Sequence, residues 1–344
     1  MQVAMQNVLI VKLSAIGDVV HALPVAQAIK EAYPSAHITW VVEPPAYDIV
    51  AGSPAIDEVI VFHKREFRSL GGFLKNFLPF RAALRQRAYD VALDLQGLFK
   101  SAAIVAQVKA KKKLGADNMR EGSQWLCPPV LGAHATGHVV ERYLDVARAL
   151  GCEVRHVVFP FFIPEEAEQS AWQKLMAEGV QKETPYVALN VGASWQTKCW
   201  PAEYFATLSD WLFNMNYAPV LVGGANERGI AAEVLHHTEI PPANLVGQTS
   251  LKELGAILKH AKLLVSGDTG PAHLGVAVGV PCVMLMGPTK ASRNGPYGQM
   301  QNVIEVNRPC RYCWQRVCPK QLDCLAAISV AEVQAKIKEA WEKT

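Results

Sequence analysis

The strongest chemical signal in the sequence is the turn SGDTGPAHL at residues 266–274, which directly follows an apolar run. Pro271 suits the first position of a helix, because its missing N–H group is not needed there, and Thr269 can cap the helix. The free N–H groups and the positive end of such a helix bind phosphate. His273 can donate to a phosphate oxygen. A phosphate would repel Asp268, so we expect Asp268 to bond backbone N–H groups or a sugar hydroxyl.

A second candidate site follows the apolar run at residues 186–191, in the turn GASWQTKCWP. This turn contains the hydroxyl side chains of Ser194 and Thr197 together with Lys198. It ends at a proline, which favours a helix start. A lysine in such a turn neutralises a diphosphate as a point charge, so we favour diphosphate binding over an ordinary surface loop. Glu227, just after another glycine turn, can accept a hydrogen bond from a ribose hydroxyl.

The turn after the first apolar run contains one carboxylate, Asp18, in the sequence KLSAIGDVVH. This turn matches neither the dinucleotide fingerprint GxGxxG nor the phosphate loop GxxxxGK[ST], which argues against an NAD-dependent dehydrogenase and a P-loop protein. Gly17 gives the turn backbone freedom. Asp18 is either the N-cap of the following helix or a general base that accepts a proton, and the sequence leaves both roles open.

The positive charge of the chain is concentrated in one segment. The net charge is only +3 over 344 residues, so the surface as a whole is not suited to nucleic acid. Residues 60–120, however, contain 13 Lys or Arg against 4 Asp or Glu. This excess predicts an anionic partner, such as a phosphate, an acidic sugar or a membrane surface, with a solvated helix face as the alternative. The candidate anion-binding side chains are Lys64, Arg65 and Arg120, and Gln96 and Lys100 can also face a site.

Four of the eight cysteines lie close together in the sequence, as Cys310, Cys313, Cys318 and Cys324. Four thiols within fifteen positions resemble a metal or iron–sulfur site, although the spacing lacks the two C-x-x-C pairs of a standard zinc ribbon. A redox-labile loop and a structural turn are the alternatives. We therefore assign no metal site to them.

Apolar runs and helical segments alternate along the chain in two series, which predicts parallel sheets and an α/β fold of two doubly wound domains with a cleft between them. We expect an N-terminal domain at residues 1–163 and a C-terminal domain at residues 164–328. The remaining segment, residues 329–344, contains an amphipathic helix predicted at residues 330–341, which is expected to pack back on the first domain. The predicted strands are residues 7–13, 38–43, 58–62 and 91–95 in the first series and 186–191, 219–222, 244–246, 263–266 and 282–286 in the second.

The sequence predicts a protein of the cytosol. The most apolar stretch, residues 263–286, is interrupted by charged residues and prolines, and a membrane span needs about 20 apolar residues. The apolar run at residues 8–11 is too short for a signal peptide and ends at Lys12.

Four of these segments together resemble the ADP-heptose:lipopolysaccharide heptosyltransferases of glycosyltransferase family 9. They are KLSAIGDVVHALP at 12–24, YDVALDLQGLFKS at 89–101, the turn at 192–201 and SGDTGPAHL at 266–274. The resemblance covers nearly the whole chain in order. It implies the GT-B fold, in which the N-terminal Rossmann-like domain binds the acceptor and the C-terminal one binds the ADP-sugar.

The resemblance also implies roles for single residues. The catalytic aspartate of the family falls on Asp18, and the diphosphate lysine falls on Lys198 with Ser194 or Thr197 nearby. The acidic nucleoside contact matches Glu227 loosely. The phosphate-binding helix start falls on Asp268, Thr269, Gly270 and His273, and the acceptor-binding side chains fall on Arg120 and on the basic loop at Lys64 and Arg65.

The implied activity is inverting transfer of a heptose from ADP-L-glycero-D-manno-heptose to the Kdo or heptose inner core of lipopolysaccharide. Asp18 would take the proton of the acceptor hydroxyl, while Lys198 and the helix start would stabilise the departing ADP. These charges make a divalent ion such as Mg²⁺ non-obligatory. A nucleotide-sugar epimerase and an inactive sugar-nucleotide-binding protein are the alternatives. Because the acceptor is anionic and membrane-anchored, we expect peripheral attachment to the inner face of the inner membrane.

Overall fold

The computed structural model describes residues 5–67 and 69–342 and divides the chain into two compact units, Met1–Phe162 and Ile163–Thr344. Each unit is built on a wholly parallel sheet flanked by helices. The predicted α/β class with two Rossmann-like sheets is confirmed. The sequence placed the boundary one residue later, after residue 163.

The sheet of the first unit has the strand order β3-β2-β1-β4-β5, so the order reverses between β1 and β4. Such a reversal is where open parallel sheets bind ligands, at the carboxyl ends of the two strands. The strands are β1 (Asn7–Val11), β2 (His37–Val42), β3 (Glu58–Val61), β4 (Tyr89–Asp94) and β5 (Ala110–Gly115). The helices are α1 (Ile16–Ala32), α2 (Tyr47–Val50), α3 (Leu70–Leu84), α4 (Phe99–Ala106) and α5 (Val139–Arg148).

The sheet of the second unit has the order β11-β10-β9-β6-β7-β8, with the reversal between β6 and β9. The strands are β6 (Tyr186–Asn190), β7 (Ala218–Val222), β8 (Ala243–Asn244), β9 (Leu263–Gly267), β10 (Cys282–Met286) and β11 (Val303–Glu305). The helices are α6 (Glu165–Ala177), α7 (Ala202–Asn214), α8 (Arg228–His237), α9 (Leu251–His260), α10 (Gly270–Ala277), α11 (Ala291–Asn294) and α12 (Val330–Trp341).

The central strands are continuous apolar runs because parallel strands are covered on both faces. β6, β9 and β10 are buried at every position, and the side chains of β7 and β9 belong to one apolar core with those of α7 and α12. The edge strands β5 and β11 were not predicted. β5 has the sequence AKKKLG, whose lysines suit an exposed sheet edge but hide the strand among basic residues.

The final helix, α12, has the same bounds as the sequence predicted. Its buried side chains Val333, Ile337 and Ala340 belong to the core of the second unit, and it contacts α7, β10 and β11. The structure therefore counts this helix with the second unit. Packing on the first domain stays a prediction.

No helix in the described part of the chain combines the length and the apolar character that crossing a bilayer requires.

Helices α6 and α9 of the second unit are joined through the Glu253 carboxylate. Lys174 Nζ and Ser170 Oγ of α6 donate to Glu253 Oε1, the lysine at 2.6 Å, and the backbone N–H of Ser250 donates to Oε2 at 2.7 Å in a capping box. Burial alone would raise the pKa of Glu253, but these hydrogen bonds outweigh it and lower the pKa to about 2. The ionised carboxylate thus stabilises the fold at neutral pH.

We predict that Glu253→Gln lowers the free energy of unfolding by about 1–2 kcal/mol at pH 7. Because the folded-state pKa is depressed, the contribution is complete above the ordinary pKa of 4.5 and is lost as the pH falls through about 2. The difference in the free energy of unfolding between wild type and variant, measured with urea, should therefore become smaller as the pH falls below about 4.5. Glu339→Gln, in the exposed Lys336–Glu339 pair, is the control and should change stability by less than about 0.5 kcal/mol. A difference in unfolding free energy that does not change with pH would contradict the stabilising role of the ionised Glu253 carboxylate.

Candidate active site

A buried carboxylate, Asp268, organises the carboxyl edge of the second sheet. Lys198 Nζ donates to its Oδ2 at 2.7 Å, and Thr289 Oγ1 donates to the same oxygen at 2.6 Å. His273 Nε2 lies 2.9 Å from Oδ1. Lys198 and Thr289 lie in the turns after β6 and β10, and His273 lies in the first turn of α10, which follows β9. One side chain thus joins the segments that follow three strands, at the point where the strand order reverses.

Asp268 is held in its ionised form by these partners. It is only 3% exposed, and burial alone would raise its pKa. The hydrogen bond and charge of His273 and the charge of Lys198 outweigh burial and hold the pKa well below its usual range. The expectation that Asp268 bonds backbone N–H groups differs from what is found, while a bond to a sugar hydroxyl stays a prediction. Its oxygens bind side chains, because burying a charge demands charged or polar partners.

The start of α10 is held by Asn190, the last residue of β6. Asn190 Nδ2 donates to Ser266 Oγ at 2.9 Å and to Thr269 Oγ1 at 3.1 Å. Thr269 occupies the N-cap position, as predicted, but its side chain does not cap the helix. Gly270 is the first helical residue and Pro271 the second, one position later than expected. The first turn of this helix is the predicted phosphate site, where helical N–H groups lack helical partners.

The turn at residues 192–200 contains the three polar side chains of the predicted diphosphate site, which behave differently. Ser194 is exposed, whereas Thr197 is buried and its Oγ1 donates to the backbone oxygen of Gln315 at 2.6 Å. The hydroxyl of Thr197 is thus held by the protein, and its predicted ligand contact stays a prediction. Lys198 Nζ lies 4.5 Å from the centre of the Trp195 ring, and the Arg316 guanidinium lies 5.6 Å from the same centre. Two cations therefore share one indole.

Glu227 packs directly against the glycine turns at the ends of β6 and β7. A Cβ atom placed on Gly192 would lie 1.8 Å from Glu227 Cγ, and one on Gly224 would lie 2.8 Å from Glu227 Oε2. The sequence loosely matched Glu227 to a nucleoside contact. The structure brings it to the carboxyl edge of the sheet, beside the turn that contains Lys198.

The cysteine segment, residues 308–324, forms turns that pack on two of the site turns. The N–H of Tyr312 donates to Gly287 O at 3.1 Å, and the N–H of Trp314 donates to Pro288 O at 2.9 Å. All eight cysteines are free. Burial, followed by the neighbouring Cys313, Cys310 and Cys318, raises the pKa of Cys324. In the part of the chain that the structure describes, no three His, Cys, Asp or Glu side chains are arranged to hold a metal ion.

In the first unit, Asp18 lies in the first turn of α1. The helix begins at Ile16 and its N-cap is Ala15, so Asp18 is not the N-cap. Its Oδ2 instead accepts from the N–H of Ala15 at 3.3 Å, and the side chain is partly exposed. One structural role proposed for Asp18 is thus corrected, while its carboxylate keeps free accepting capacity.

The turn that contains Asp18 is held in place by a residue that follows β4 and by a residue of α5. Gln96 Oε1 accepts from the N–H groups of Leu13 and Ser14, each at 3.0 Å. The buried Lys12 Nζ donates to Tyr143 Oη at 2.7 Å. Burial alone would lower the pKa of Lys12, but Tyr143 and Asp18 outweigh it and raise that pKa, so the ammonium stays charged. Gln96 therefore positions the turn, and a ligand contact of this side chain stays a prediction.

The predicted anion-binding residues lie on two different segments that follow strands of the first sheet. The backbone N–H of Arg120 donates to Gly97 O at 2.9 Å, which places Arg120 beside the end of β4, next to β1. Lys64 and Arg65 follow β3, two strands from β1, and both are exposed. Lys100, another candidate, pairs with Glu43.

Sequence analysis missed four contributors to these sites: Lys12, Asn190, Thr289 and Arg316. Polar residues at the ends of β1 and β6 are unusual in buried strands, so Lys12 and Asn190 had a visible signal. Thr289 follows β10 in the sequence Gly-Pro-Thr, whose glycine and proline are typical of a turn. Arg316 lies in an irregular segment more than 100 residues after Lys198, with no local pattern to connect them.

The model of glycosyltransferase family 9 (heptosyltransferase) matches residues 77–322, which is well over half of the chain. A relative, Lipopolysaccharide heptosyltransferase 1 of Pseudomonas aeruginosa, is 31% identical over 327 residues, covering 92% of this chain and 88% of the relative. The chain belongs to glycosyltransferase family 9. It is a glycosyltransferase, the enzyme class that the sequence predicted, in preference to an epimerase or an inactive binding protein.

Solved structures agree with the GT-B fold predicted for this family 9 glycosyltransferase. The family 9 protein of Veillonella parvula has a TM-score of 0.88 at 23% identity, covering 100% of this chain and 99% of that one. The Escherichia coli heptosyltransferase WaaC, solved with ADP, has a TM-score of 0.76 at 26% identity and covers 97% of this chain and 100% of its own.

We predict that Gly267→Ala damages the candidate site by displacing the turn that contains Lys198. A Cβ atom at Gly267 would lie 2.4 Å from the backbone oxygen of Lys198, so the backbone must shift. Urea unfolding should show a loss of about 1–3 kcal/mol.

The matched control is Gly229→Ala in α8, where a Cβ atom meets nothing within 4 Å. That variant should be neutral or more stable by about 0.5–1 kcal/mol, since alanine favours a helix. Equal stability of the Gly267 variant and wild type would show that the two strand-end turns are not in close contact.

Proposed function

We propose that this family 9 glycosyltransferase moves a heptose from ADP-L-glycero-D-manno-heptose to the Kdo or heptose inner core of lipopolysaccharide, with inversion at the anomeric carbon. The observation that carries the proposal is the buried Lys198–Asp268–His273 cluster at the start of α10. It fixes a cation beside helical N–H groups at the strand-order reversal, the place and chemistry that a sugar diphosphate requires. The names of the relatives, lipopolysaccharide heptosyltransferases, supply the sugar and the acceptor class.

The second unit binds the ADP part of the donor in this proposal. Lys198 and the first turn of α10 at Thr269 and Gly270 contact the diphosphate, with Ser194 at its edge. Glu227 accepts from a ribose hydroxyl. Asp268 is a positioning residue, because its oxygens are already occupied by protein side chains. His273 and the buried Thr197 hold the same framework.

A second cation, Arg316, completes the diphosphate site. The charge of Lys198 is offset by Asp268 at 2.7 Å, so that pair adds little net charge against a diphosphate. Within residues 5–67 and 69–342, no carboxylate lies at ion-pair distance from Arg316, which shares the Trp195 ring with Lys198. Arg316 therefore brings an uncompensated charge to the same indole ring as Lys198.

The first unit provides the general base. The acceptor hydroxyl oxygen forms a bond to the anomeric carbon while the bond from that carbon to the phosphate oxygen breaks and ADP departs. Asp18 takes the hydroxyl proton, which contributes about 10²–10⁴ in rate. Cations on the departing diphosphate stabilise its growing charge without any metal ion in the step.

The acceptor is bound by the basic residues of the first unit. Arg120 lies at the end of β4 beside the turn that contains Asp18, and it contacts the anionic sugar. Lys64 and Arg65 contact more distant phosphate or carboxylate groups of the acceptor. The acceptor is anchored in a membrane, so the enzyme works as a peripheral protein at the inner face of the inner membrane.

We predict that Asp18→Asn removes transfer and keeps donor binding. The purified protein is incubated with ADP-heptose and either a lipid A–Kdo or a mono-heptosylated acceptor, and the product is identified by the mass of one added heptose. The variant should lose about 10²–10⁴ in kcat, because the amide cannot take the proton. Its Kd for ADP, measured by calorimetry, should stay within about twofold of wild type, since the nucleotide site lies on other turns.

The control is Asp48→Asn, the same change on the short helix α2 of the same unit, which should keep full turnover. Near-normal turnover of the Asp18 variant would overturn the role of Asp18 as the base. Conversion of ADP-heptose into an isomer without any acceptor, and no transfer to either acceptor, would overturn the proposed reaction.

Arg316→Ala is predicted to weaken ADP binding about fivefold to twentyfold, because it removes a charge-assisted contact to the diphosphate. AMP, which lacks the second phosphate, should bind the variant and wild type with closer affinities. Both are measured by calorimetry at low ionic strength.

Lys320→Ala removes the same charge from an exposed position of the same segment and should change ADP affinity less than about twofold. Equal losses in the two variants would mean that ADP senses only the general charge of the segment, and Arg316 would have no specific contact.

A further inference from the structure

Helix α3 presents a row of large apolar side chains to solvent. Leu70, Leu74 and Leu78 are spaced four residues apart, so they lie on one side of the helix. They are 77%, 66% and 64% exposed. Phe73, whose ring stacks on Phe77 at 4.9 Å, extends the row. Exposed leucines are common singly, but a continuous row of them marks an interaction surface.

A neighbouring side of the same helix, together with the turn before it, anchors the helix to the first unit. Leu84 is fully buried, and the rings of Phe80 and Phe67 pack on Phe62 with centroids 5.2 and 5.0 Å away. The apolar core of the unit thus forms without the leucine row. The exposed leucines contribute little to folding, so the core of the unit does not account for their apolar character.

Basic side chains flank the row. Lys64 and Arg65 lie in the turn before α3, and Lys75 lies on the helix itself, all exposed. For these three, the described residues provide no carboxylate at ion-pair distance. An apolar row with unpaired cations around it matches the chemistry of an anionic bilayer surface, where leucines enter the acyl boundary and cations meet headgroups.

We propose that α3 is a membrane-docking helix, whose row Leu70, Leu74 and Leu78 inserts into the interface of an anionic bilayer while Lys75 contacts lipid phosphates. The acceptor-binding Lys64 and Arg65, in the turn before α3, add positive charge beside that surface. This inference rests on the proposed function only in the choice of a membrane-anchored acceptor. It goes beyond a basic surface attracted to lipid, because the insertion of the leucines makes attachment resistant to salt.

The full chain is tested by co-sedimentation with vesicles of phosphatidylcholine containing about 30% phosphatidylglycerol, and with vesicles of phosphatidylcholine alone. A triple variant, Leu70→Ser with Leu74→Ser and Leu78→Ser, should lose at least about tenfold in partitioning to the anionic vesicles. Wild type should keep a bound fraction at about 0.5 M salt, where charges are screened within a few ångströms. The matched control changes three exposed apolar residues elsewhere, Leu131→Ser with Met215→Ser and Ile240→Ser, and should bind as wild type.

Vesicle binding needs neither donor nor acceptor, so it is independent of the proposed reaction. Heptose transfer to a lipid-free acceptor should be unchanged in the triple variant, and its urea unfolding should match that of wild type because the row is outside the core. Equal vesicle binding by the triple variant and wild type would overturn the proposal, as would complete release of wild type by salt. Light scattering that shows dimers abolished by the triple variant, with no vesicle binding, would assign the row to a second copy of the chain instead.

Discussion

The candidate site depends on the cost of burying one negative charge. A carboxylate inside a protein is tolerated only when charged and polar groups surround it, and Asp268 has an ammonium, an imidazole and a hydroxyl within 3 Å. The three groups belong to Lys198, His273 and Thr289, which follow the neighbouring strands β6, β9 and β10. Satisfying Asp268 therefore fixes the position of Lys198 and the start of α10 together. The close approach of Gly267 to the backbone of Lys198 leaves no room for another arrangement.

The first unit applies the same constraint with different groups. Asp94 is fully buried, and burial raises its pKa, while the N–H groups of Gln96 and Gly97 and the Ser101 hydroxyl accommodate its oxygens. Gln96, held in this way, accepts two hydrogen bonds from the turn that contains Asp18. Each unit thus uses a buried carboxylate beside its strand-order reversal to hold a functional side chain that is less buried.

The central strands and the turns after them could be predicted because parallel strands are apolar along their whole length and ligand turns follow them. The bounds of β10 and α12 agree with the prediction, whereas β5 was hidden by its three lysines. The partners of Asp268 could not be predicted, since Lys198 lies 70 residues away and no local pattern encodes such a pair. The sequence of α3 also does not show which side of the helix faces solvent, because apolar residues lie on more than one side of it.

Hydrogen exchange measured with and without ADP tests most directly whether the second unit holds the nucleotide by the turns that Asp268 joins. We predict that ADP slows exchange in residues 192–200, 223–228 and 266–274, because these backbone groups become buried against it. Peptides that cover residues 12–18 and 94–101 should exchange at unchanged rates. Protection limited to those two peptides of the first unit, with none in the second, would contradict the account.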